Sequence, residues 1–164
     1  MELLARRHGI DLRPERRASA LAGDAMVGAR RLALAVPETY MNESGLAVRA
    51  LARRYSVDDL ARLVVVHDEL DLPAGTVRVK SGGGTAGHNG LKSVDAHLHS
   101  LGFLRIRIGV GRPPGRMSGA DYVLRRPARA EAEEIGLALE SAADAVELIL
   151  SAGAEAAMNA CNRR

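Results

Sequence analysis

The segment between residues 63 and 90 carries the side chains with the most evident chemistry. Residues 63–66 form a continuous apolar run, which predicts a strand buried on both faces, and Asp68 follows at its carboxyl end. Open α/β sheets bind their ligands at that end of their strands. Farther along, a glycine-rich turn leads to His88 and Asn89, which open a helical pattern. We therefore expect an acid, an imidazole and an amide to converge on one ligand.

The residue types favour water as the nucleophile of any hydrolysis. No Gly-x-Ser-x-Gly motif is present, and Cys161 falls in a predicted terminal helix, where a thiol is usually structural. Water needs a general base, typically histidine, and a buried acid that orients the base. Asp68 fits the acid, and the amides of Asn42 and Asn89 could hold a carbonyl group and stabilise its developing oxyanion.

A dinucleotide site is one alternative for the glycine-rich turn. Gly82, Gly84 and Gly87 match the dinucleotide-binding fingerprint, but no acid lies between Asp95 and Asp121 to bind the ribose hydroxyls. We therefore interpret the glycines as a phosphate-binding turn or a purely structural one.

A metal site is another alternative. The possible ligands are His67, Asp68, Glu69, Asp71 and His88. Their spacing matches no established zinc or calcium pattern, and neighbouring side chains on a strand point to opposite faces. We therefore expect neither a metal nor a cofactor. Asp68 also has an ordinary interpretation, as the cap of a turn or helix.

The composition predicts one domain, residues 1–164, with no disulfide and no membrane-spanning segment. A chain of 164 residues can bury a core, and its single cysteine excludes an internal disulfide. No apolar run reaches the roughly 18 residues of a membrane helix, and the apolar stretch at the start is too short for a signal peptide. We therefore expect a cytoplasmic protein.

The charge is distributed unevenly, although its formal total is only +3. Residues 129–155 hold one basic and seven acidic residues, a net of −6, so the remainder carries about +9. Such a surplus suits a polyanionic partner. An ordinary solvated surface is the alternative, because 21 of the 23 basic residues are arginine, as coding bias alone could produce.

Strands alternate with helices along the chain and predict a three-layer α/β/α domain with a mixed, largely parallel sheet. Residues 76–80 and 103–110 alternate apolar and basic side chains, which is typical of half-exposed strands. Residues 88–101 carry apolar side chains at helical spacing and predict a helix that covers the sheet. The other predicted elements are helices at residues 3–9, 42–55 and 132–149, and strands at residues 18–26, 31–36 and 63–67.

Three segments together resemble the bacterial peptidyl-tRNA hydrolase family. They are PETYMNESG at 37–45, VVVHDELDLPAGTVRVKSGGGTAGHNGLK at 64–92 and FLRIRIGVGRP at 103–113. The resemblance implies an enzyme that cleaves the ester joining a peptide to the 3′ ribose of tRNA and so recycles tRNA for translation. It also implies a monomer that needs no metal or cofactor and that contacts the 3′ end and acceptor region of the tRNA.

The resemblance assigns roles to individual residues. Asp68 matches the acid that orients the catalytic histidine, while Asn42 and Asn89 match amides that bind substrate and position the scissile ester. His88 and Tyr40 match residues that line the same channel. The basic positions that match contacts to tRNA phosphates are Lys80, Lys92 and Arg107.

One departure from the family pattern concerns the catalytic base. The family begins with a central strand, a Gly-Leu-Gly-Asn-Pro-Gly loop and a Thr-Arg-His-Asn segment that carries the base, and residues 1–164 contain none of these. His8 is too close to Asn42 along the chain to match that base. We therefore expect a native protein that starts upstream of Met1. The alternative is a tRNA-end-binding module of the same fold with impaired hydrolysis.

The 164-residue chain should hydrolyse peptidyl-tRNA at a small fraction of the family's rate, and adding the family's first strand with its histidine should restore that rate. General-base assistance is typically worth about 10²- to 10⁴-fold, so its loss should outweigh what binding contributes. Circular dichroism and tRNA binding on the same sample separate lost chemistry from misfolding. A folded, fully active 164-residue chain that His8→Ala inactivates would make His8 the base instead.

Overall fold

The computed structural model describes residues 1–163, which fold as two compact units that interleave along the sequence. The first unit comprises Met1–Leu63 and Gly82–Phe103, and the second comprises Val64–Ser81 and the chain from Leu104 onward. The described residues contain two three-stranded sheets and six α-helices. The predicted mixed α/β class is therefore confirmed, whereas the treatment of residues 1–164 as one domain stays a prediction.

The first unit is built on an antiparallel sheet of order β1-β2-β3, preceded by helix α1, Glu2–His8. Its strands are β1 Arg13–Glu15, β2 Ala20–Val27 and β3 Arg30–Pro37. The predicted strands at residues 18–26 and 31–36 are confirmed as a hairpin. Strand β1 was not predicted, because three residues are too few to show an alternating pattern. Helix α2, Ser44–Arg54, contributes Leu51 to a core that also contains Ala18, Ala20 and Ala22.

Tyr55, directly after α2, ties that helix to the sheet. The guanidinium groups of Arg31 and Arg54 lie 5.4 and 5.6 Å from its ring centroid, within cation–π range. Each arginine also binds a carboxylate of the sheet, Asp24 for Arg31 at 2.7 Å and Glu15 for Arg54 at 2.6 Å. The hydrogen bond from Arg31 lowers the pKa of Asp24. These contacts fix the end of α2 against two strands.

Helices α2 and α3 pack closely in the first unit. Helix α3, Asn89–Leu98, confirms the predicted helix at 88–101. Helix α2 is preceded by a 3₁₀ turn, Met41–Glu43, which overlaps the start of the helix predicted at 42–55. Within this unit the main partner of α3 is α2, whereas the sequence predicted that α3 covers a sheet. The sequence pattern showed that one face of α3 is apolar but not which element it meets.

The sheet of the second unit has the order β4-β6-β5. Its strands are β4 Val64–Glu69, β5 Val77–Ser81 and β6 Leu104–Gly109, all close to their predicted positions. Strand β4 runs parallel to β6, but β5 runs antiparallel to it. Among residues 1–163, parallel pairing is thus limited to the pair β4 and β6, and the prediction of a largely parallel sheet is wrong. The sequence indicates where strands lie, but single-strand patterns do not determine their directions.

Strand β4 is more exposed than predicted. The apolar run at its start suggested burial on both faces, yet Val64, Val65, Val66 and Asp68 are all partly exposed. The reason is its position, because β4 is an edge strand and within residues 1–163 only β6 pairs with it. The prediction of a fully buried strand is therefore wrong for this chain.

Two C-terminal helices pack on this sheet. Helix α5, Arg129–Ala152, ends at Gly153 as predicted, and α6 is Ala154–Cys161. Four of the buried residues of α5 are alanine, which allows a close approach to β5 and β6. At its start, Glu131 accepts a hydrogen bond from the Ala128 amide at 2.8 Å and binds Arg125 at 2.6 Å, which lowers the pKa of Glu131. The short helix α4, Gly119–Leu124, was not predicted.

No helix within residues 1–163 combines the length and the apolar character needed to cross a membrane.

The end of the described chain pairs with the free edge of β5. The Asn162 side chain makes the two hydrogen bonds that a neighbouring strand would make. Its Oδ1 accepts a hydrogen bond from the Val79 amide at 3.1 Å, and its Nδ2 donates one to the Val79 carbonyl at 2.8 Å. Arg78 adds a hydrogen bond to the carbonyl of Cys161 at 2.8 Å. Edge strands present unpaired backbone groups, and these contacts satisfy part of the β5 edge.

Asn162→Ala should lower the free energy of unfolding by about 1 to 3 kcal/mol, because it removes two hydrogen bonds to the backbone of β5 that are each worth about 0.5–1.5 kcal/mol. The measurement is urea denaturation followed by circular dichroism. Asn159→Ala is the matched control, since Asn159 is an exposed residue of α6 and should have little effect. Equal midpoints for the two variants would show that the β5 edge does not need Asn162.

Candidate functional site

Two exposed amide side chains are brought together in the first unit. Asn42 lies in the 3₁₀ turn before α2, and Asn89 is the first residue of α3. Met41 lies so close to Gly90 that a Cβ at position 90 would be 2.7 Å from the Met41 sulfur. The residues next to the two amides are therefore in contact. Among residues 1–163, neither amide side chain has a hydrogen-bond partner, so both can bind a ligand.

The contact between α2 and α3 sets this arrangement. The backbone amide of Gly45 donates to the hydroxyl of Ser93 at 2.9 Å, and both residues are buried. A Cβ at position 45 would collide with the backbone of Ser93, so the helices approach closely only because residue 45 is glycine. The start of α2 and the first turns of α3 consequently lie side by side.

The glycine-rich loop before α3 has an unusual backbone. Its residues with left-handed φ values are Gly82, Gly83, Ala86 and Gly87. The loop closes with a hydrogen bond from the His88 amide to the Thr85 carbonyl at 2.9 Å. His88 then caps α3, since its Nδ1 accepts the backbone amide of Leu91 at 3.2 Å.

Tyr40 and Lys92 complete the set of predicted residues in the first unit. Tyr40 is 80% exposed, which is unusual for an aromatic residue. Lys92 is exposed in the first turn of α3, and its backbone amide donates to the His88 carbonyl. The unit thus presents amide donors and acceptors, an aromatic ring and an ammonium group near the starts of two helices.

Asp68 belongs to the second unit, in β4. It stands opposite Ile108 of β6, one residue before the end of its strand, and it is partly exposed. The neighbouring His67 uses its Nδ1 to bond the Asp68 carbonyl at 2.7 Å, so the His67 ring turns back on the strand itself. The predicted place of Asp68, near the carboxyl end of a strand, is confirmed.

Glu69 is a residue whose importance the sequence did not indicate. Its carboxylate is almost fully buried and accepts Nε and Nη2 of Arg107, both at 3.0 Å. Its other oxygen accepts the backbone amide of Asp71 at 3.2 Å. Both nitrogens meet the same carboxylate oxygen, and charge-assisted hydrogen bonds of this kind are among the stronger ones in proteins. Glu69 therefore fixes the end of β4 to β6, directly beside Asp68.

Basic residues face each other across β5 and β6. Arg78 stands opposite Arg107, and Lys80 stands opposite Arg105. The alternation in β6 predicted an exposed basic face, but Arg105 is only 2% exposed and Arg107 is bound to Glu69. The prediction of exposure is wrong for Arg105, because β6 is the central strand of its sheet. The side chain of Lys80 is exposed and makes no ion pair with any residue from 1 to 163.

The acidic run that suggested a metal site binds arginine instead. Glu69 holds Arg107, and Asp71 holds Arg112 at 2.9 Å. Among residues 1–163, no three histidine, cysteine, aspartate or glutamate side chains cluster closely enough to hold a metal ion. Burial raises the pKa of the Cys161 thiol, which does not favour a reactive thiolate.

The predicted site residues divide between the units. Tyr40, Asn42, His88, Asn89 and Lys92 lie in the first unit, whereas Asp68, Lys80 and Arg107 lie in the second. His8, the last residue of α1, is in the first unit.

Comparison with known proteins identifies the family. The family model described as "Peptidyl-tRNA hydrolase" matches residues 1–164. A peptidyl-tRNA hydrolase of Rhodococcus erythropolis is 50% identical over 156 residues, which cover 95% of this chain and 82% of that protein. A peptidyl-tRNA hydrolase of Mycobacteroides abscessus is 48% identical over 158 residues, covering 96% of this chain and 80% of the relative.

A solved structure agrees over almost the whole chain. The crystal structure of peptidyl-tRNA hydrolase from Acinetobacter baumannii superposes with a TM-score of 0.91 at 32% sequence identity, covering 98% of this chain and 81% of that one. The mixed α/β fold is thus that of a group of hydrolases. The chain belongs to the bacterial peptidyl-tRNA hydrolase family.

Proposed function

We propose that this chain acts on peptidyl-tRNA, hydrolysing the ester between the peptide and the 3′ ribose so that the tRNA returns to translation. The observation that carries the proposal is the pair of exposed, unbonded amides of Asn42 and Asn89 at adjoining helix starts. Membership of the family, with relatives about 50% identical over nearly the whole chain, supports the same activity.

The amides suit the binding of an ester. Each offers two N–H donors and one carbonyl acceptor, so the pair can hold the substrate's backbone and also donate to the ester carbonyl. Donors aimed at that oxygen stabilise the negative charge that develops when water attacks the carbon. The bond between the acyl carbon and the ribose 3′ oxygen then breaks, leaving a peptide carboxylic acid and the free 3′ hydroxyl of the tRNA.

Asp68 is proposed as the carboxylate that orients the base. A base removes the proton from the attacking water, and a carboxylate beside it holds its ring and stabilises its charged form. Glu69 supports this role by fixing the end of β4 to Arg107. Residues 1–164 contain no Thr-Arg-His-Asn segment, and no residue of the chain is assigned as the base.

The basic side chains are proposed to bind the tRNA backbone. Lys80 is the best placed, since its ammonium group is exposed and stands opposite another cation. Lys92 lies in the same helix as Asn89 and suits a phosphate near the 3′ end of the acceptor arm. Arg107 reaches a phosphate only in competition with Glu69. Such contacts supply affinity, whereas the ester supplies the chemistry.

The second candidate function is that of a module that binds tRNA without hydrolysing it, because the amide and basic side chains described above could also bind a tRNA end. The relatives' names favour the hydrolase. We further propose that the protein works in the cytoplasm, where translation takes place, as a monomer and without a metal or cofactor.

In a version of the protein that also carries the family's first strand with its histidine, Asp68→Asn should lower the rate of peptidyl-tRNA hydrolysis at least about tenfold and leave tRNA affinity nearly unchanged, because the base loses its anionic partner. The measurement is a single-turnover assay with protein in excess, which also detects slow cleavage. Asp71→Asn is the matched control, since its exposed pair with Arg112 should matter little. Equal rates for the parent and Asp68→Asn would remove Asp68 from the mechanism.

Lys80→Ala should weaken tRNA binding and flatten its salt dependence by about one phosphate contact, with an unchanged melting temperature. Arg107→Ala should also weaken binding, but it should lower the melting temperature as well, because the buried carboxylate of Glu69 loses its cation. A small ester without the tRNA body should be cleaved as before. An unchanged salt slope in both variants would mean that these cations form only a solvated surface.

A further inference from the structure

The cap of α3 is made by an unusual residue. Nδ1 of His88 accepts the backbone amide of Leu91, and its carbonyl accepts the amide of Lys92 at 3.0 Å, so His88 begins the helix with both side chain and backbone. Serine, threonine, aspartate and asparagine are the residues preferred at this position, and histidine is not among them. The choice of a ring suggests a function that a smaller cap would not supply.

The ring also fills the space between two elements. A Cβ at position 90 would lie 2.9 Å from Cε1 of His88 and 2.7 Å from the sulfur of Met41. Gly90 is buried, and the absence of its side chain is what admits the ring and the thioether together. His88, Gly90 and Met41 therefore form one contact between the start of α3 and the 3₁₀ turn.

This contact lies beside both amides. Met41 precedes Asn42, and His88 and Gly90 flank Asn89. Any shift of the His88 ring would change the start of α3 and the packing of Met41, and with them the separation of the two amides. A misplacement of about 1 Å at a reacting group can cost about 10²-fold in rate.

We propose that His88 is a positioning residue that holds Asn42 and Asn89 at a fixed separation, through its cap on Leu91 and its contact with Met41. The inference rests on the proposed function, in which the two amides grip the ester. It differs from the role implied by the family resemblance, in which His88 lines the substrate channel. If His88 acts by positioning, another residue that caps α3 should restore at least part of the rate of hydrolysis.

The test compares cap-forming and non-capping substitutions. His88→Asn and His88→Ser can cap α3, whereas His88→Ala cannot. We expect His88→Ala to lower the single-turnover rate about 10- to 100-fold with little change in the half-saturating concentration, and His88→Asn to recover most of that loss. His88→Gln, which is close in size to histidine but a poor cap, replaces His88→Ala in the comparison if the alanine variant does not fold.

A second variant tests the contact without changing the ring. Gly90→Ala places a methyl group against His88 and Met41, so it should lower the rate as His88→Ala does although histidine is present. Gly136→Ala, at an exposed helical position of α5 where a Cβ meets no atom within 4 Å, controls for the replacement of a helical glycine alone. The inference requires a larger loss of rate at position 90 than at position 136.

Hydrogen exchange provides a readout that does not depend on hydrolysis. The Leu91 amide should exchange slowly in the parent and in His88→Asn, and at least about tenfold faster in His88→Ala. If the parent cleaves no peptidyl-tRNA, the proposed function fails, and the exchange pattern alone decides the positioning role. Unchanged exchange in His88→Ala would overturn the inference, as would hydrolysis by His88→Asn and His88→Ser that is as slow as hydrolysis by His88→Ala.

Discussion

The close approach of α2 and α3 is the constraint on which the amide pair of the first unit depends. It needs glycine at position 45, where any side chain would collide with Ser93, and the hydrogen bond between these residues sets the helices side by side. Once the helices are fixed, the 3₁₀ turn that carries Asn42 meets the start of α3. Two polar side chains far apart in sequence thereby become neighbours because small residues lie between their helices.

The second unit positions its acid by a different interaction. Successive side chains of a strand point to opposite faces, so Asp68 and Glu69 serve two sides of the same sheet. On one face of the sheet, the side chain of Glu69 binds Arg107, and this contact fixes the end of the edge strand β4 to the central strand β6. Asp68 remains partly exposed on the other side. This partly buried ion pair adds rigidity directly beside Asp68.

Much of this organisation was predictable from the sequence, since apolar periodicity located five of the six strands and the helices α1, α2, α3 and α5. Asn89 was also placed correctly at the start of its helix and Asp68 near the carboxyl end of its strand, whereas Asn42 lies in a 3₁₀ turn before α2 and not in the helix itself. The predictions that were wrong share a cause. The sequence of a strand indicates which residues share a face, but it shows neither the direction of the strand nor its neighbours. The antiparallel course of β5, the exposure of β4 and the burial of Arg105 all depend on pairing.

The facing cations of β5 and β6 have a thermodynamic consequence. Like charges directly opposite each other across strands oppose folding, and the carboxylate of Glu69 offsets part of this repulsion through its ion pair with Arg107. The folded state therefore carries electrostatic repulsion that an anion can relieve. By mass action, a polyanion that binds the folded state in preference to the unfolded one stabilises the protein while it is held. The binding of any such polyanion and conformational stability are in this way thermodynamically linked through this sheet face.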